Sequence, residues 1–266
     1  VRALQSRGHV VAMTGDGVND VLALKDADLG ISMGSGSAAT RSVADLVLTD
    51  DRFSSLPVVV TEGRKVINNV ERVGNLFVTK AVYAVLLTFL IGIVGSPFPL
   101  LPRQLTLIGT FSIGVPGFFL ALAPEVERVR DGFLTRVMRF SLPAGIIAGT
   151  AAFTAYELTR SQTSLSLPEA RTLTTLTLLG VGLVVLAVAS RPLRPWKLGL
   201  VAAMAAGYGA IMALPFMRDF FELDLFTDAT AWWIGGIVTV AAGCLVTAIP
   251  WATHQLMWGA IPRRRA

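Results

Sequence analysis

The sequence predicts a chain in two parts: an α/β segment built on a parallel sheet, then an all-α bundle of six transmembrane helices. Three observations predict it. Acidic residues, Gly and Ser concentrate in residues 1–75, whereas long apolar runs fill residues 76–258. Short apolar stretches alternate with helical ones over the first 50 residues, the order that builds parallel sheets. The later apolar runs number six, each near the roughly 20 residues that cross about 30 Å of hydrocarbon. Composition agrees: 53% of residues are hydrophobic and 15% charged, with mean hydropathy +0.63, against roughly 25% charged in soluble domains.

The elements follow in order. His9–Met13 is a short apolar run that reads as a strand, closed by the turn residues Thr14-Gly15-Asp16-Gly17. Leu22–Lys25 reads as a short helix and Leu29–Met33 as a second strand, ending at Gly34-Ser35-Gly36. Ser37–Ala44 reads as a helix with Ser37 as its N-cap. Leu46–Thr49 is a third strand, so residues 1–53 are expected to form part of an α/β domain. Residues 54–75 place Glu62, Arg64, Lys65, Glu71 and Arg72 at helical spacing, which predicts a polar stalk helix. The spans are expected at 76–95, 104–123, 140–158, 172–190, 197–216 and 231–252, followed by a basic tail over 259–266.

Loop charge orients the bundle. With residues 1–75 inside, ten basic residues lie on the inner side: Arg128, Arg130, Arg136, Arg139, Arg191, Arg194, Lys197, Arg263, Arg264 and Arg265. Four lie outside: Arg103, Arg160, Arg171 and Arg218. That asymmetry obeys the positive-inside rule and predicts a multi-pass protein of the cell membrane with its N-terminal part and C-terminus cytoplasmic. Topology accounts for the net charge of +5, so nucleic acid is not expected as a partner; the lipid bilayer is. The lone Cys244 excludes a disulfide within the chain, and His9 and His254 are too far apart to suggest a metal cluster.

The chemistry sits in Thr14-Gly15-Asp16-Gly17-Val18-Asn19-Asp20, which follows an apolar strand. Such a segment lies at the C-terminal edge of a parallel sheet, where α/β folds build sites. Gly15 and Gly17 let the backbone approach a ligand. Asp16 and Asp20 offer hard oxygen suited to Mg²⁺ beside a phosphate, and Asn19 can donate to a phosphoryl oxygen without adding charge. The pattern fits phosphoryl transfer.

The longer strings TGDGVND, ALKDADLGISMGSGS, ADLVLTDDRFSSL and EGRKVINN closely resemble the end of the phosphorylation domain and the stalk of P-type (E1–E2) cation-transporting ATPases, in the branch containing calcium and proton pumps. The resemblance covers residues 8–75 by motif and the rest by the number and placement of spans. It implies a partial haloacid-dehalogenase-like, Rossmann-like phosphorylation domain in a C-terminal fragment of an ATP-driven pump that works through an aspartyl phosphate. By the resemblance Asp16 is the Mg²⁺ carboxylate, Asn19 and Asp20 order the phosphorylation site, and Thr14, Gly15 and Gly17 form its loop. Met33, Gly34, Ser35 and Gly36 match a loop that closes the pocket, and Lys25 matches a helix lysine of scaffold type. Mg²⁺ and ATP are the implied cofactors. The partners are a transported cation and the N-terminal half of the same protein, because the family's Asp-Lys-Thr-Gly-Thr string does not occur in these 266 residues.

The transport site is less legible. The positions matching the family's ligands are Ala81 and Ala84 in the first span and Gly109, Ser112 and Ile113 in the second; none carries the carboxylate or amide of calcium pumps. What remains is Lys80, on a face expected to include Ala84 and Thr88, together with the hydroxyls of Thr110 and Ser112 beside Pro116. Pro116 has no N–H for the Ser112 carbonyl. A lipid or polycation transporter of the same superfamily, a soluble phosphatase sharing Gly-Asp-Gly-x-x-Asp, and a non-catalytic truncated remnant are the alternatives. Six spans argue against the phosphatase.

Overall fold

The computed structural model describes residues 1–123 and 132–258, with side chains through Ala252. Arg128, Arg130, the basic tail with Arg263, Arg264 and Arg265, and the side chain of His254 lie outside them. The chain divides into two compact units, Val1–Arg64 and Lys65–Ala266.

The first unit is a three-stranded parallel sheet in the order β1 (Ala12–Gly15), β2 (Leu29–Met33), β3 (Leu46–Leu48). Helix α1 (Arg2–Gln5) precedes it, α2 (Val21–Asp26) joins β1 to β2, and α3 (Ala38–Val43) joins β2 to β3. β2 matches the predicted strand, and Ser37 caps α3 by accepting the Thr40 N–H at 3.1 Å. β1 begins later than the apolar run suggests. The Val11 N–H is taken by the Asp28 carboxylate at 2.8 Å instead of a ladder partner. That bond, with a second from Gln5, holds the Asp28 carboxyl below the usual carboxylate range. Leu24, Ile31 and Leu48 form the buried centre of this unit.

Helix α4 is one continuous element, Leu56–Val94, with 39 residues. At 1.5 Å per residue it is about 58 Å long, roughly twice the hydrocarbon thickness, so only part of it can lie in a membrane. Six helices of the described chain are long and apolar enough to cross one. They are Phe53–Val94, Pro102–Ala121, Phe133–Gln162, Leu167–Ala189, Pro195–Ala213 and Ala229–Ala252. The fifth, α9 (Pro195–Ala213), stops short of the expected residue 216. Leu214 is extended before Pro215, whose ring disfavours helix in the residue ahead of it; a short helix α10 (Pro215–Phe221) follows.

Helix α8 (Leu167–Ala189) is the centre of the bundle, with 61% of its most apolar window buried against 22% for α4. It packs against α7 (Phe133–Gln162) and α11 (Ala229–Trp258), which also pack against each other. α7 meets α4 closely at Gly145 and Gly149: a Cβ on Gly145 would lie 2.5 Å from that of Val82. Small residues at such crossings let helix backbones approach, the usual device in a solvent that gives apolar side chains no drive to associate. The second span is broken. α5 (Pro102–Gly109) passes into a π-helical turn, Thr110–Gly114, before α6 (Val115–Ala121). The Val115 N–H reaches back five residues to the Thr110 carbonyl, and Pro116 follows with no N–H to offer.

Candidate functional site

In the first unit the ends of β1 and β2 are tied into one edge. The Asp16 carbonyl accepts the Ser37 N–H at 2.8 Å and the Thr40 hydroxyl at 3.3 Å. The Gly34 N–H donates to the Leu48 carbonyl at 2.8 Å, and the Ser35 N–H donates to the Asp51 carboxylate, also at 2.8 Å. Arg41 closes the Gly34–Gly36 loop from below, with Nη1 2.7 Å from the Gly34 carbonyl and 2.6 Å from that of Gly36. Gly36 is confined: a Cβ there would stand 2.9 Å from the Met33 carbonyl and 3.2 Å from that of Asp16. The loop after β1 and the loop after β2 therefore sit against each other through backbone.

The two carboxylates of the motif differ. Asp20 folds back so that Oδ2 accepts the Gly17 N–H at 3.2 Å, and its side chain fills the space beside Gly15. Asp16 is exposed at the C-terminal end of β1, and no described residue hydrogen-bonds its carboxylate. Thr14 and Asn19 are also exposed, as is Lys25 on α2. Asp20 thus shapes the loop, and Asp16 is the free anionic oxygen. No three His, Cys, Asp or Glu side chains converge among the described residues. Asp16 is therefore the carboxylate of the motif that could reach a metal ion, as one of the one or two that Mg²⁺ takes beside a phosphate while it keeps several waters.

The second unit brings only two of its three candidates together. Lys80 and Ser112 line one small cavity of about 20 Å³ between α4, α5, the π turn, α7 and α8. Thr110 is exposed and donates to the Thr106 carbonyl at 2.9 Å, away from that cavity. The Ser112 hydroxyl donates to the Ile108 carbonyl at 2.6 Å. The expected face Lys80–Ala84–Thr88 does not hold. Thr88 is exposed and bonds the Ala84 carbonyl, whereas the buried face of α4 runs through Leu76, Thr79, Tyr83, Leu87 and Ile91. Lys80 therefore keeps company with Tyr83. Of the ligand-matched positions, Ile113 and Ser112 line the cavity, Gly109 abuts the Lys80 ammonium, and Ala81 faces an open apolar groove with Val85 and Phe89.

Curated relatives match this chain over much or nearly all of its length. A protein of Mycolicibacterium smegmatis named calcium-transporting ATPase CtpE is 45% identical over 273 residues, 97% of this chain and 34% of its own length. A probable cation-transporting ATPase, exp7, of Streptococcus pneumoniae is 32% identical over 238 residues, 86% of this chain and 30% of its own. The chain belongs to the P-type cation-transporting ATPases. An endoplasmic-reticulum-type calcium-transporting ATPase of Arabidopsis thaliana is 44% identical over 116 residues, 44% of this chain and 12% of its own. No protein-family model matches the chain. This P-type ATPase chain spans about a third of the length of the relatives it matches over most of its residues. With six apolar helices it is a multi-pass membrane protein.

Three residues of this P-type ATPase chain escaped the sequence reading. Arg41 carries no motif that announces its grip on two carbonyls. Gly109 stood out only as a missing ligand, not as space for an ammonium. Tyr83 carries a signal, since i and i+3 share a helix face, but so do i and i+4, so the spacing favours Ala84 equally.

Proposed function

We propose that the full-length protein is an ATP-driven pump that carries a cation across the membrane and is phosphorylated on an aspartate outside these 266 residues. The observation that carries the reading is the free Asp16 carboxylate at the sheet edge, beside the glycine loop that Arg41 and Asp51 hold. Asp16 would hold Mg²⁺, which neutralises charge on a transferring phosphoryl group. Asn19 presents its amide to a phosphoryl oxygen, and Asp20 fixes the Gly17 backbone against which the phosphate rests. Thr14 and Gly15, the last residues of β1 and not the turn that the sequence suggests, lead into that loop.

Calcium is the ion named for CtpE, and we adopt it as the substrate. The first two spans here give neutral oxygens and Lys80, so the carboxylates that calcium prefers come from the rest of the protein. Lys80 serves as a built-in counter-charge beside them. The N-terminal part and the C-terminus face the cytoplasm. The test is ATP-driven uptake of radioactive calcium into inverted membrane vesicles containing the full-length protein, with phosphoenzyme measured in parallel. Calcium-dependent phosphoenzyme with uptake is expected. Phosphoenzyme that calcium does not stimulate, with no uptake, overturns the choice of ion; no acid-stable phosphoenzyme under any cation overturns the pump.

A further inference from the structure

The Lys80 cavity has an unusual wall. A Cβ placed on Gly109 would lie 2.6 Å from the Lys80 Nζ, closer than side chains approach one another. Tyr83, 95% buried (5% exposed), lines the same cavity, and its hydroxyl has no hydrogen-bond partner. Among the described residues the Lys80 ammonium likewise has no hydrogen bond or ion pair. The parts of α5, the π turn, α7 and α8 that face the cavity carry no ionisable side chain. A half-buried ammonium and a buried phenol thus line one cavity, in a membrane-spanning helix, with no carboxylate among the described lining residues.

Leaving a half-buried charge without partners in a membrane-spanning helix is costly, and burying a phenol hydroxyl unpaired costs about 1–3 kcal/mol. Both costs fall if one guest joins them. A cavity of about 20 Å³ admits a single water, which needs two to four polar partners. Three are available: the ammonium N–H groups of Lys80, the hydroxyl of Tyr83, and the lone pairs left on the Ser112 Oγ, whose proton is given to Ile108.

We infer that Gly109 and Tyr83 form the seat of the Lys80 ammonium: Gly109 leaves the space the Nζ occupies, and Tyr83 supplies, through one water, the oxygen that holds it there. Both are positioning residues for the counter-charge role of Lys80, and the inference rests on that reading. Without the glycine notch the ammonium is displaced toward the cytoplasmic end of α4. Without the phenol oxygen it remains in the cavity but is poorly fixed.

The test uses the full-length pump with Lys80→Ala, Gly109→Ala, Tyr83→Phe and the double variant Lys80→Ala/Gly109→Ala, measuring the half-saturating cation concentration and kcat separately. Gly109→Ala is expected to shift half-saturation in the same direction as Lys80→Ala, by about tenfold, with kcat within about twofold. In the Lys80→Ala background Gly109→Ala should then be silent, because two substitutions acting through one group are not additive. Tyr83→Phe, which keeps volume and so folds even if Gly109→Ala does not, should shift half-saturation in that direction by a smaller factor. A shift from Lys80→Ala alone, with Gly109→Ala and Tyr83→Phe matching wild type, overturns the seat and leaves the role of Lys80 standing. Wild-type values for Lys80→Ala overturn both. Additive shifts in the double variant overturn the seat by showing that Gly109 acts apart from the lysine.

Discussion

Arg136, one turn into α7, grips the carboxylate of Glu71 on α4 with both arms of its fork: Nη2 lies 2.7 Å from Oε2 and Nε 3.0 Å from Oε1. Both side chains are about three-quarters buried, with 27% and 22% of their surface exposed. The pair joins the first and third spans beside the inner ends expected from loop charge.

Arg136→Lys should weaken that join although charge is kept, because a lysine cannot make the two-armed contact. We expect a loss of about 1 kcal/mol, read as a lowered melting temperature of the detergent-purified full-length protein. Glu71→Gln should cost at least as much by removing the carboxylate that pairs with a guanidinium about three-quarters buried. Equal melting temperatures for all three proteins would falsify the role of the pair.

Asp16→Asn should reduce Mg²⁺-dependent phosphoenzyme formation in the full-length pump by more than about tenfold, since even outer contacts of metal sites are worth 10–100-fold. The lost group is the free anionic oxygen at the sheet edge. Asp20→Asn should act differently, through the Gly17 N–H it holds, and raise the required Mg²⁺ concentration less. The decisive measurement is the Mg²⁺ titration of phosphorylation; superimposable curves would remove Asp16 from the metal's ligands.

Gly36→Ala should impair phosphorylation without changing the spans. The added methyl meets the Met33 and Asp16 carbonyls at about van der Waals overlap, so the loop after β2 must move off the loop after β1. Overpacking of this kind costs about 1–3 kcal/mol. Limited proteolysis near residues 34–37, faster in the variant at unchanged membrane insertion, is the expected readout.

Lys80→Arg should fail to replace the lysine. The guanidinium is larger than the ammonium and the Gly109 notch leaves it no room. Cation-stimulated ATPase profiles of wild type, Lys80→Arg and Lys80→Ala are compared; an arginine profile identical to wild type would mean that the side chain simply reaches the interface.

A reporter fused after Ala266 should be active on the cytoplasmic side. Six spans return the chain to the side it left, and among the described residues Arg136, Arg139, Arg191, Arg194 and Lys197 lie at the ends assigned to it. Activity only on the outer face would reverse the orientation.

Much of the architecture was legible locally. Leu29–Met33, the Ser37 cap and the six spans follow from apolar period, a capping residue and run length, which depend on neighbours in sequence alone. The strand after His9 begins a few residues later than its apolar run predicts, because Asp28, 17 positions after Val11, takes the Val11 N–H. The span expected to end at residue 216 stops at Ala213, although Pro215 was visible to explain it. In the motif, the sequence marked Asp16 and Asp20 alike; only the bond from Gly17 to Asp20 separates the loop-shaping carboxylate from the free one.

By itself the sequence determined the two-part plan, the strand–loop–helix that carries Asp16, and the count and placement of the spans. The tertiary structure alone decided that Lys80 shares its cavity with Tyr83 and not with Thr88, that Thr110 points away, and that Gly109 is a notch. The reason is physical. Within the membrane α4 is apolar on nearly every side, so its sequence fixes a helix but not its rotation. The rotation is set by which neighbours pack against it, among them Gly145 and Gly149 of α7, from residues more than 60 positions away.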